Sequence, residues 1–358
     1  MRTYLTIILL SFVIARAHAQ EPRNEEKENI GFIGRLIEKY NEIDSNYVEP
    51  PHYNFSTQLT MTYTYDIYQL KSSGGQSVTL APKPTIKVGP YFGWRWIFLG
   101  YTFDLKHIGF NIGDLKQEID LSIYSSKIGI DLYYRRTGSN YRIRNVKLWK
   151  GMTGNSPLEG MNFDGLSVGI TGFNLYYIFN NKRFSYPAAF SQSTQQKISC
   201  GSWLAGIGYT RNSLDFDYQK LQRMAEQYST QPAAEIDEGL KFNSVKFYDY
   251  CLTGGYAYNW VFAKNFLFSA SASLGLAYKH TVGDVESNKG FRFNNFNFDG
   301  IGRFAIVFNN LRWYAGASAI LHGYTYRKSR FSANNVFGSL NAYVGYNFGL
   351  RKQYRKNK

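Results

Sequence analysis

A stretch of thirteen residues from Phe266 to Tyr278, FLFSASASLGLAY, limits the possible folds more than any other part of the chain. Its even-numbered positions are aromatic or apolar, its odd-numbered positions are mostly Ser, Gly and Ala, and it carries no charge. A side-chain period of two predicts a β-strand. A tilted strand needs roughly nine to eleven residues to cross a bilayer, and aromatic residues near its two ends are typical of the membrane interfaces. The stretch therefore predicts one stave of a transmembrane β-barrel.

The chain repeats this pattern after residue 54. We predict twelve strands, approximately at residues 55–70, 78–92, 97–106, 117–125, 127–137, 163–179, 184–210, 243–259, 265–280, 291–308, 311–327 and 336–349. Short connections alternate with longer ones such as 138–162 and 211–242, as short periplasmic turns and longer outer loops do in bacterial barrels. The predicted fold class is all-β: a transmembrane antiparallel β-barrel of about twelve strands at residues 55–350, with a short N-terminal periplasmic helix.

The two ends of the chain differ from this repeat. Residues 1–19 combine Arg2, an apolar run and a small-residue site at Ala17 and Ala19, which predicts a signal peptide and export. In the segment 20–54, apolar residues at helical spacing from Ile30 to Tyr40 predict one short amphipathic periplasmic helix, which could lie on the rim of the barrel or plug its lumen. Residues 351–358 are mostly basic and are expected to form a solvated tail.

Charge and the last strand indicate the partners. The formal net charge of +15 could fit nucleic acid, but an exported protein seldom meets it. We therefore predict contact with outer-membrane lipid and lipopolysaccharide, and no nucleic-acid partner. Aromatic residues two apart, Tyr346 and Phe348, resemble the signal that the outer-membrane assembly machinery recognises during insertion, although a tail follows Phe348. A monomer is expected.

Charged residues occur in mid-strand on the polar faces, whereas the opposite faces are almost uncharged. The candidate lumen charges are Lys87, Asp104, Glu118, Asp120, Asp131, Arg135, Asp299 and Arg303. Charges of both signs across a lumen can set the ion selectivity of a pore. They can equally pair into a network that fills a narrow barrel, and the sequence leaves both readings open.

Several features together resemble a known family. They are the signal peptide, the short helix, an Asp-x-x-Tyr-Val segment from Asp44 to Val48, and FSYPAAFSQSTQQKISCGSWL from Phe184 to Leu204. In these the chain resembles a family of Bacteroidetes outer-membrane proteins, domain of unknown function 4421, over nearly all of the mature chain. The resemblance implies an outer-membrane β-barrel and brings no activity or catalytic residues.

Enzyme signals are weak. Residues Gly165 to Gly169 match G-x-S-x-G, but this nucleophile motif requires a strand-to-helix turn, whereas a predicted strand continues through Ser167. His107 and His280 end strands near the predicted outer surface, where a lipid-modifying site would lie, yet no Ser or Asn partner stands at a fixed spacing. No cluster has metal-ligand spacing, so we predict no metal and no cofactor.

The function predicted from these observations is a channel or binding barrel for small polar solutes. Inward-facing charges and the width of a twelve-strand lumen favour it. A lipid-modifying hydrolase and a purely structural outer-membrane protein remain as alternatives.

The two cysteines, Cys200 and Cys251, lie on strands predicted to be neighbours. Exported proteins meet an oxidising compartment in which paired thiols form disulfides. Strand ends at 210 and 243 would place the partner of Cys251 near residue 202, and both side chains are predicted to point inward. A Cys200–Cys251 disulfide is therefore a candidate, against the alternative of two unpaired, buried thiols.

Overall fold

The computed structural model describes residues 43–82, 84–94, 97–100, 103–104, 117–137, 141–148, 156–228, 235–284, 291–327 and 331–355. These residues belong to one compact unit, Tyr40–Lys358. The predicted signal peptide and amphipathic helix lie outside the described residues. Within the described ranges, no helix combines the length and apolar character needed to cross a membrane.

Long β-strands make up most of the chain. The first half contains β1 (Val48–Glu49), β2 (Tyr53–Ser72), β3 (Ser77–Pro82), β4 (Thr85–Trp94), β5 (Ile97–Gly100), β6 (Phe103–Asp104), β7 (Gln117–Tyr124), β8 (Ile128–Thr137), β9 (Tyr141–Lys147) and β10 (Asn162–Phe163). The second half contains β11 (Leu166–Ile178), β12 (Gln195–Gln196), β13 (Cys200–Phe216), β14 (Ser244–Ala263), β15 (Phe266–Asp284), β16 (Phe291–Asn309), β17 (Trp313–Arg327) and β18 (Phe331–Leu350). The described helices are α1 (Tyr186–Phe190), α2 (Tyr218–Tyr228) and α3 (Lys352–Arg355).

Sixteen strands form one antiparallel sheet. Consecutive staves pair from β11 and β13 onward to β18, and β18 pairs with β2, so the first and last long strands are neighbours. β3 and β4 pair with different parts of β2 and form one stave, and β5 and β6 pair with β4 to form another. Twelve staves result, which confirms the predicted transmembrane antiparallel barrel class. The sheet ends at β7 on one side, and on the other side at β10 and at the β5–β6 stave. Residues 105–116, between β6 and β7, lie outside the described part.

The two faces of the sheet differ sharply in polarity. Outward side chains on β14, β15 and β16 are large and apolar, and Leu252, Leu274 and Phe298 are 68%, 72% and 72% exposed. Lys279 and Asp299 lie on the inward face of the same strands and are buried. This alternation follows from the period of two along each strand, and it places an apolar surface against the bilayer.

The barrel has two unlike ends. One end, the turn end, holds Tyr53 of β2, Leu350 of β18 and the short turns 125–127, 264–265 and 310–312. The opposite end, the loop end, holds the described parts of the long connections 138–165 and 217–243. β3 pairs with β9 of the first of these connections, so the sheet continues into the loop layer.

One predicted strand is wrong in part. Residues 184–199 were expected to begin a strand ending at 210, but they contain α1 and β12, and β13 runs from Cys200 to Phe216. Ser185 caps α1 by accepting a 3.2 Å hydrogen bond from the Ala188 amide, and Pro187 stands at its start, where its fixed φ suits a helix. The segment is rich in apolar and aromatic residues, as a buried strand is, and this composition led to the wrong prediction.

Candidate functional site

Residues 180–199, which we call the plug segment, connect β11 and β13 at the turn end and pack inside the barrel. Ala188 and Ala189 of α1 are buried against inward side chains of β15 and β16, including Leu267 and Val307. Phe184 and Tyr186 are also buried, and they pack with an inward group formed by Tyr176, Ile178, Leu204 and Ala257. Burying a large apolar side chain stabilises a protein by about 1.5–3 kcal/mol, so the plug segment is a firmly packed part of the core.

Hydrogen bonds attach the plug segment to several staves. Asn259 of β14 donates to the Ser185 carbonyl at 2.9 Å and to the Gln196 side-chain oxygen at 3.1 Å. Gln195 donates to the Asn309 carbonyl at 2.6 Å. The strand β12 pairs with β1, in which Val48 stands opposite Gln196. The plug segment therefore joins the chain before the barrel to the lumen wall.

A buried ion pair lies next to the plug segment. The Arg303 guanidinium of β16 donates a short hydrogen bond to the Asp131 carboxylate of β8, across the lumen. Both residues are buried. The Arg303 guanidinium also lies 5.0 Å from the centre of the Tyr176 ring, and Ser122 donates to Asp131 at 2.7 Å. These contacts compensate in part for the loss of water around the two charges, while the buried Arg303 Nε has no hydrogen-bond partner in the described part of the chain.

A second charged layer lies closer to the loop end. The Lys279 ammonium donates a 2.7 Å hydrogen bond to Asp299 and lies 3.4 Å from the Asp249 carboxylate. The Tyr326 hydroxyl donates to Asp249 at 2.9 Å, and its ring centre is 4.1 Å from the Lys279 ammonium. Three charges thus occupy the lumen, with one cation between two carboxylates.

Polar and apolar side chains fill the space between this layer and the loops. Asn335 donates to Asp66 at 2.8 Å, and the buried Arg135 guanidinium lies 4.8 Å from the centre of the Phe337 ring. Beyond them lies an apolar cluster that joins strand residues to α2 and the loop layer. Its loop-layer members include Leu148, Leu158, Leu221, Ala225, Ile236 and Leu240. The lumen is therefore occupied by packed side chains from the turn end to the loop end.

A family match covers this whole arrangement. The model of the family described as domain of unknown function (DUF4421) matches residues 42–348. The chain belongs to this family. No curated protein matches the chain in sequence. The match confirms the family resemblance, because it spans the plug segment and every described stave.

Solved structures of other outer-membrane proteins are similar to this DUF4421 protein in outline. The Escherichia coli outer-membrane protease OmpT gives a TM-score of 0.37 at 8% identity, over 82% of this chain and 97% of that chain. The translocator domain of the autotransporter NalP from Neisseria meningitidis gives a TM-score of 0.33 at 9% identity, over 88% of this chain and 95% of that chain. The attachment protein Ail of Yersinia pestis gives a TM-score of 0.25 at 7% identity, over 81% of this chain and 99% of that chain. Similarities this low carry no information about function.

The structure of this DUF4421 protein buries four predicted lumen charges, and it brings two of them, Asp131 and Arg303, together as a pair. Asp131, Arg135, Asp299 and Arg303 are buried on the inward face. Lys87 stands opposite Asp104 in strand register. The backbone of β7 places Glu118 opposite Arg135 and Asp120 opposite Tyr133; the side chains of Asp104, Glu118 and Asp120 lie outside the described part.

Sequence reasoning missed Asp249, Lys279 and the plug segment. Lys279 follows Tyr278 and continues the small-residue face of the Phe266–Tyr278 stretch, so the same alternation could have placed it inward. Asp249 stands between Tyr248 and Tyr250 in the same manner.

The predicted disulfide is wrong, and both cysteines are free. Cys200 stands opposite Asn259, and Cys251 stands opposite Gly208. Eight residues separate the two positions along either strand, or about 26 Å at roughly 3.3 Å per residue. The prediction failed because β13 continues to Phe216 rather than ending at residue 210, which shifts the register by six residues.

The candidate hydrolase residues are not brought together. Ser167 is the second residue of β11 and pairs with Asp215 of β13, so it does not lie on a strand-to-helix turn. His280 of β15 lies three staves away from Ser167, and its Nδ1 is 2.6 Å from the side-chain oxygen of Asn294 on β16. His107 lies outside the described residues. No group of three His, Cys, Asp or Glu side chains in the described ranges could hold a metal ion.

Proposed function

We propose that this protein is a barrel of the outer membrane with a closed lumen and a structural role, and that it conducts no solutes in its resting state. The observation that supports the proposal is the plug segment, which packs α1 between the inward faces of the staves. Two layers of buried, paired charges fill the lumen beyond it. A barrel of this kind offers its outer surface and its loop layer to partners, not a path through its interior.

A channel for small polar solutes, the function favoured by the sequence, would require a larger rearrangement. The plug segment would have to leave the lumen and give up its hydrogen bonds to Asn259 and Asn309. The Arg303–Asp131 pair would then need water in place of the side chains that now surround it. Moving the plug segment out of the lumen would also expose Phe184 and Tyr186. Exposing a large buried apolar side chain costs about 1.5–3 kcal/mol, so the described arrangement favours the closed state.

Conductance across a planar bilayer tests the proposal. The full-length protein, refolded and verified by heat-modifiable gel mobility, is expected to give no conductance steps. A porin reconstituted in the same bilayer is the positive control, because the charged layers and the loop layer would still fill the lumen of a variant that lacked only the plug segment. Conductance steps from the folded, unaltered protein would overturn the proposal.

A further inference from the structure

A cavity opens on the outer face of the barrel at the loop end, between β8, β11 and β13. Its volume is about 240 Å³. The outward side chains that line it are polar or charged. They are Tyr134, Arg136, Ser167, Thr171, Arg211, Ser213 and Asp215. A polar hollow on the bilayer-facing side of a barrel stands out against the apolar surface of the neighbouring staves.

Gly169 forms the floor of this cavity. It pairs with Arg136 of β8 on one side and with Ser213 of β13 on the other. A Cβ added to Gly169 would lie 2.8 Å from the Ser213 hydroxyl oxygen, so a side chain at this position would fill the hollow. The glycine therefore leaves space beside the guanidinium of Arg136, as a site for a small group requires.

The charge of the cavity is positive. Arg136 and Arg211 are exposed, and in the described part of the chain neither forms an ion pair. The Arg211 guanidinium lies 5.7 Å from the centre of the Tyr248 ring, which holds it on the outer face. Lys246 stands opposite Ser213 in register and adds a further exposed cation. Asp215 opposes these charges from the far wall, opposite Ser167.

An apolar strip begins directly below the cavity. Two positions toward the turn end, Phe173 pairs with Leu132 on one side and with Tyr209 on the other. The Phe173 and Tyr209 ring centres are 6.3 Å apart. Aromatic residues of this kind mark the boundary between acyl chains and headgroups. The cavity thus lies where the phosphates of a lipid would lie.

We propose that this cavity binds the phosphate headgroup of an anionic lipid, with Arg136 and Arg211 on the phosphate oxygens and the acyl chains along the Phe173–Tyr209 strip. A guanidinium binds phosphate through two parallel hydrogen bonds, which favours this ligand over a neutral headgroup. The Tyr134 hydroxyl supplies a further donor within the cavity, whereas the Ser213 hydroxyl donates to the Gly169 carbonyl at 3.3 Å. The site extends the proposed structural role, because it joins the barrel to its surrounding leaflet, and it does not depend on a closed lumen.

Native mass spectrometry of the full-length protein in a non-ionic detergent tests the site. The probes are diphosphoryl lipid A, the same lipid with its phosphates removed, and sodium phosphate. We expect the unaltered protein to bind diphosphoryl lipid A, and the R136Q/R211Q variant to bind it on the order of 10 to 100 times more weakly. The dephosphorylated lipid is expected to bind both proteins as weakly as the variant binds the phosphorylated lipid.

A matched control changes two exposed lysines at the turn end. The variant K264Q/K352Q loses the same charge and is expected to keep the affinity of the unaltered protein. A second variant, S213D, keeps both arginines but adds a negative charge inside the cavity, and it is expected to lose binding as well. Equal lipid binding by R136Q/R211Q and the control would overturn the proposal. Sodium phosphate binding as tightly as the lipid would also overturn it, because the site would then recognise the free anion.

Discussion

The side-chain amide of Gln192 donates a 2.7 Å hydrogen bond to the phenolic oxygen of Tyr343, so the plug segment is attached to the last stave of the barrel. Gln192 adopts a φ of 52°, in the left-handed region, where a residue other than glycine is uncommon. Asn309 of β16 donates to its carbonyl at 3.2 Å. These bonds link residues more than a hundred positions apart, so the plug segment and the staves stabilise one another.

Gln196 is the residue of the plug segment whose loss we expect to be most costly. Its side-chain nitrogen donates to the carbonyls of Arg183 at 2.7 Å and Ile198 at 2.9 Å, and its oxygen accepts from the Ser185 amide at 3.0 Å. Gln196→Ala is expected to lower the free energy of unfolding by about 1–3 kcal/mol, because buried polar groups lose their partners. The measurement is the urea midpoint of the heat-modifiable band.

The control for this variant is Gln222→Ala in α2, a position with one bond to Glu226 near the surface. We expect its free energy of unfolding to stay within about 0.5 kcal/mol of that of the unaltered protein. Equal shifts for the two variants would contradict the importance given to the plug segment.

Lys279→Met tests the second charged layer, which consists of Lys279, Asp249 and Asp299. The change leaves the Asp249 and Asp299 carboxylates buried without their cation. A buried charge that loses its partner costs about 3–5 kcal/mol, so the variant is expected to unfold at a much lower urea concentration. Lys264→Met, at an exposed turn-end position, is the matched control and should leave the midpoint unchanged. If the Lys279→Met protein unfolded at the same urea concentration as the unaltered protein, the charged layer would be hydrated and would contribute little to the free energy of unfolding.

The sequence predicted the staves because side-chain alternation is a local property. Phe266 to Tyr278 fall within β15 for this reason. The pairing of charges across the lumen could not be predicted in the same way. Asp131 and Arg303 are 172 positions apart, and they meet because the sheet curves round to bring β8 and β16 to opposite walls. Local patterns define which face a side chain occupies, and barrel geometry decides its partner.

The plug segment escaped prediction for a different reason. Its residues from Phe184 to Phe190 are apolar and aromatic, as a buried strand would be. Ser185 and Pro187 are signals of a helix start, and they were available in the sequence. A five-residue helix is too short to show helical periodicity, so these two signals alone do not outweigh the strand-like composition of the segment. Packing inside the barrel, which a single sequence does not report, stabilises this short helix.

Glu49 should make the junction between β1 and β12 sensitive to acid. Burial acts to raise its pKa, but hydrogen bonds from His52 and Lys197 outweigh this effect and hold the pKa below its ordinary value of 4.5. A carboxyl with a lowered pKa stabilises the folded state above its ordinary pKa, and this contribution is lost as the pH falls through the folded value. The β1–β12 pairing is therefore expected to open more readily below a pH of 4.5.

Hydrogen exchange of the Lys197 amide, which donates to the Tyr47 carbonyl at 2.7 Å, reports this opening. We expect its protection, corrected for the intrinsic exchange rate, to fall between neutral pH and acid. Glu49→Gln removes the titrating group, so its protection should be low at neutral pH and nearly independent of pH. Protection that falls equally in both proteins would assign the effect to other groups.

Engineered cysteines test the register of β13 and β14, on which the free state of Cys200 and Cys251 depends. In a Cys200→Ser background, Gly208→Cys places a thiol directly opposite Cys251. Directly opposed Cβ atoms lie about 4.5–5.5 Å apart, so a mild oxidant is expected to cross-link this pair after small shifts of the backbone. A Cβ at Gly208 would meet the Asn174 side-chain oxygen at 2.5 Å, the end of a side chain that can move aside.

Ser202→Cys is the matched comparison in the same background. Ser202 stands opposite Ala257, six residues from Cys251, or about 20 Å at roughly 3.3 Å per residue. It is also the position that a strand ending at residue 210 would have paired with Cys251. Non-reducing gel mobility of the unfolded protein should show a cross-linked, faster band for Gly208→Cys and none for Ser202→Cys. The opposite result would restore the shorter β13 and bring Cys200 back within reach of Cys251.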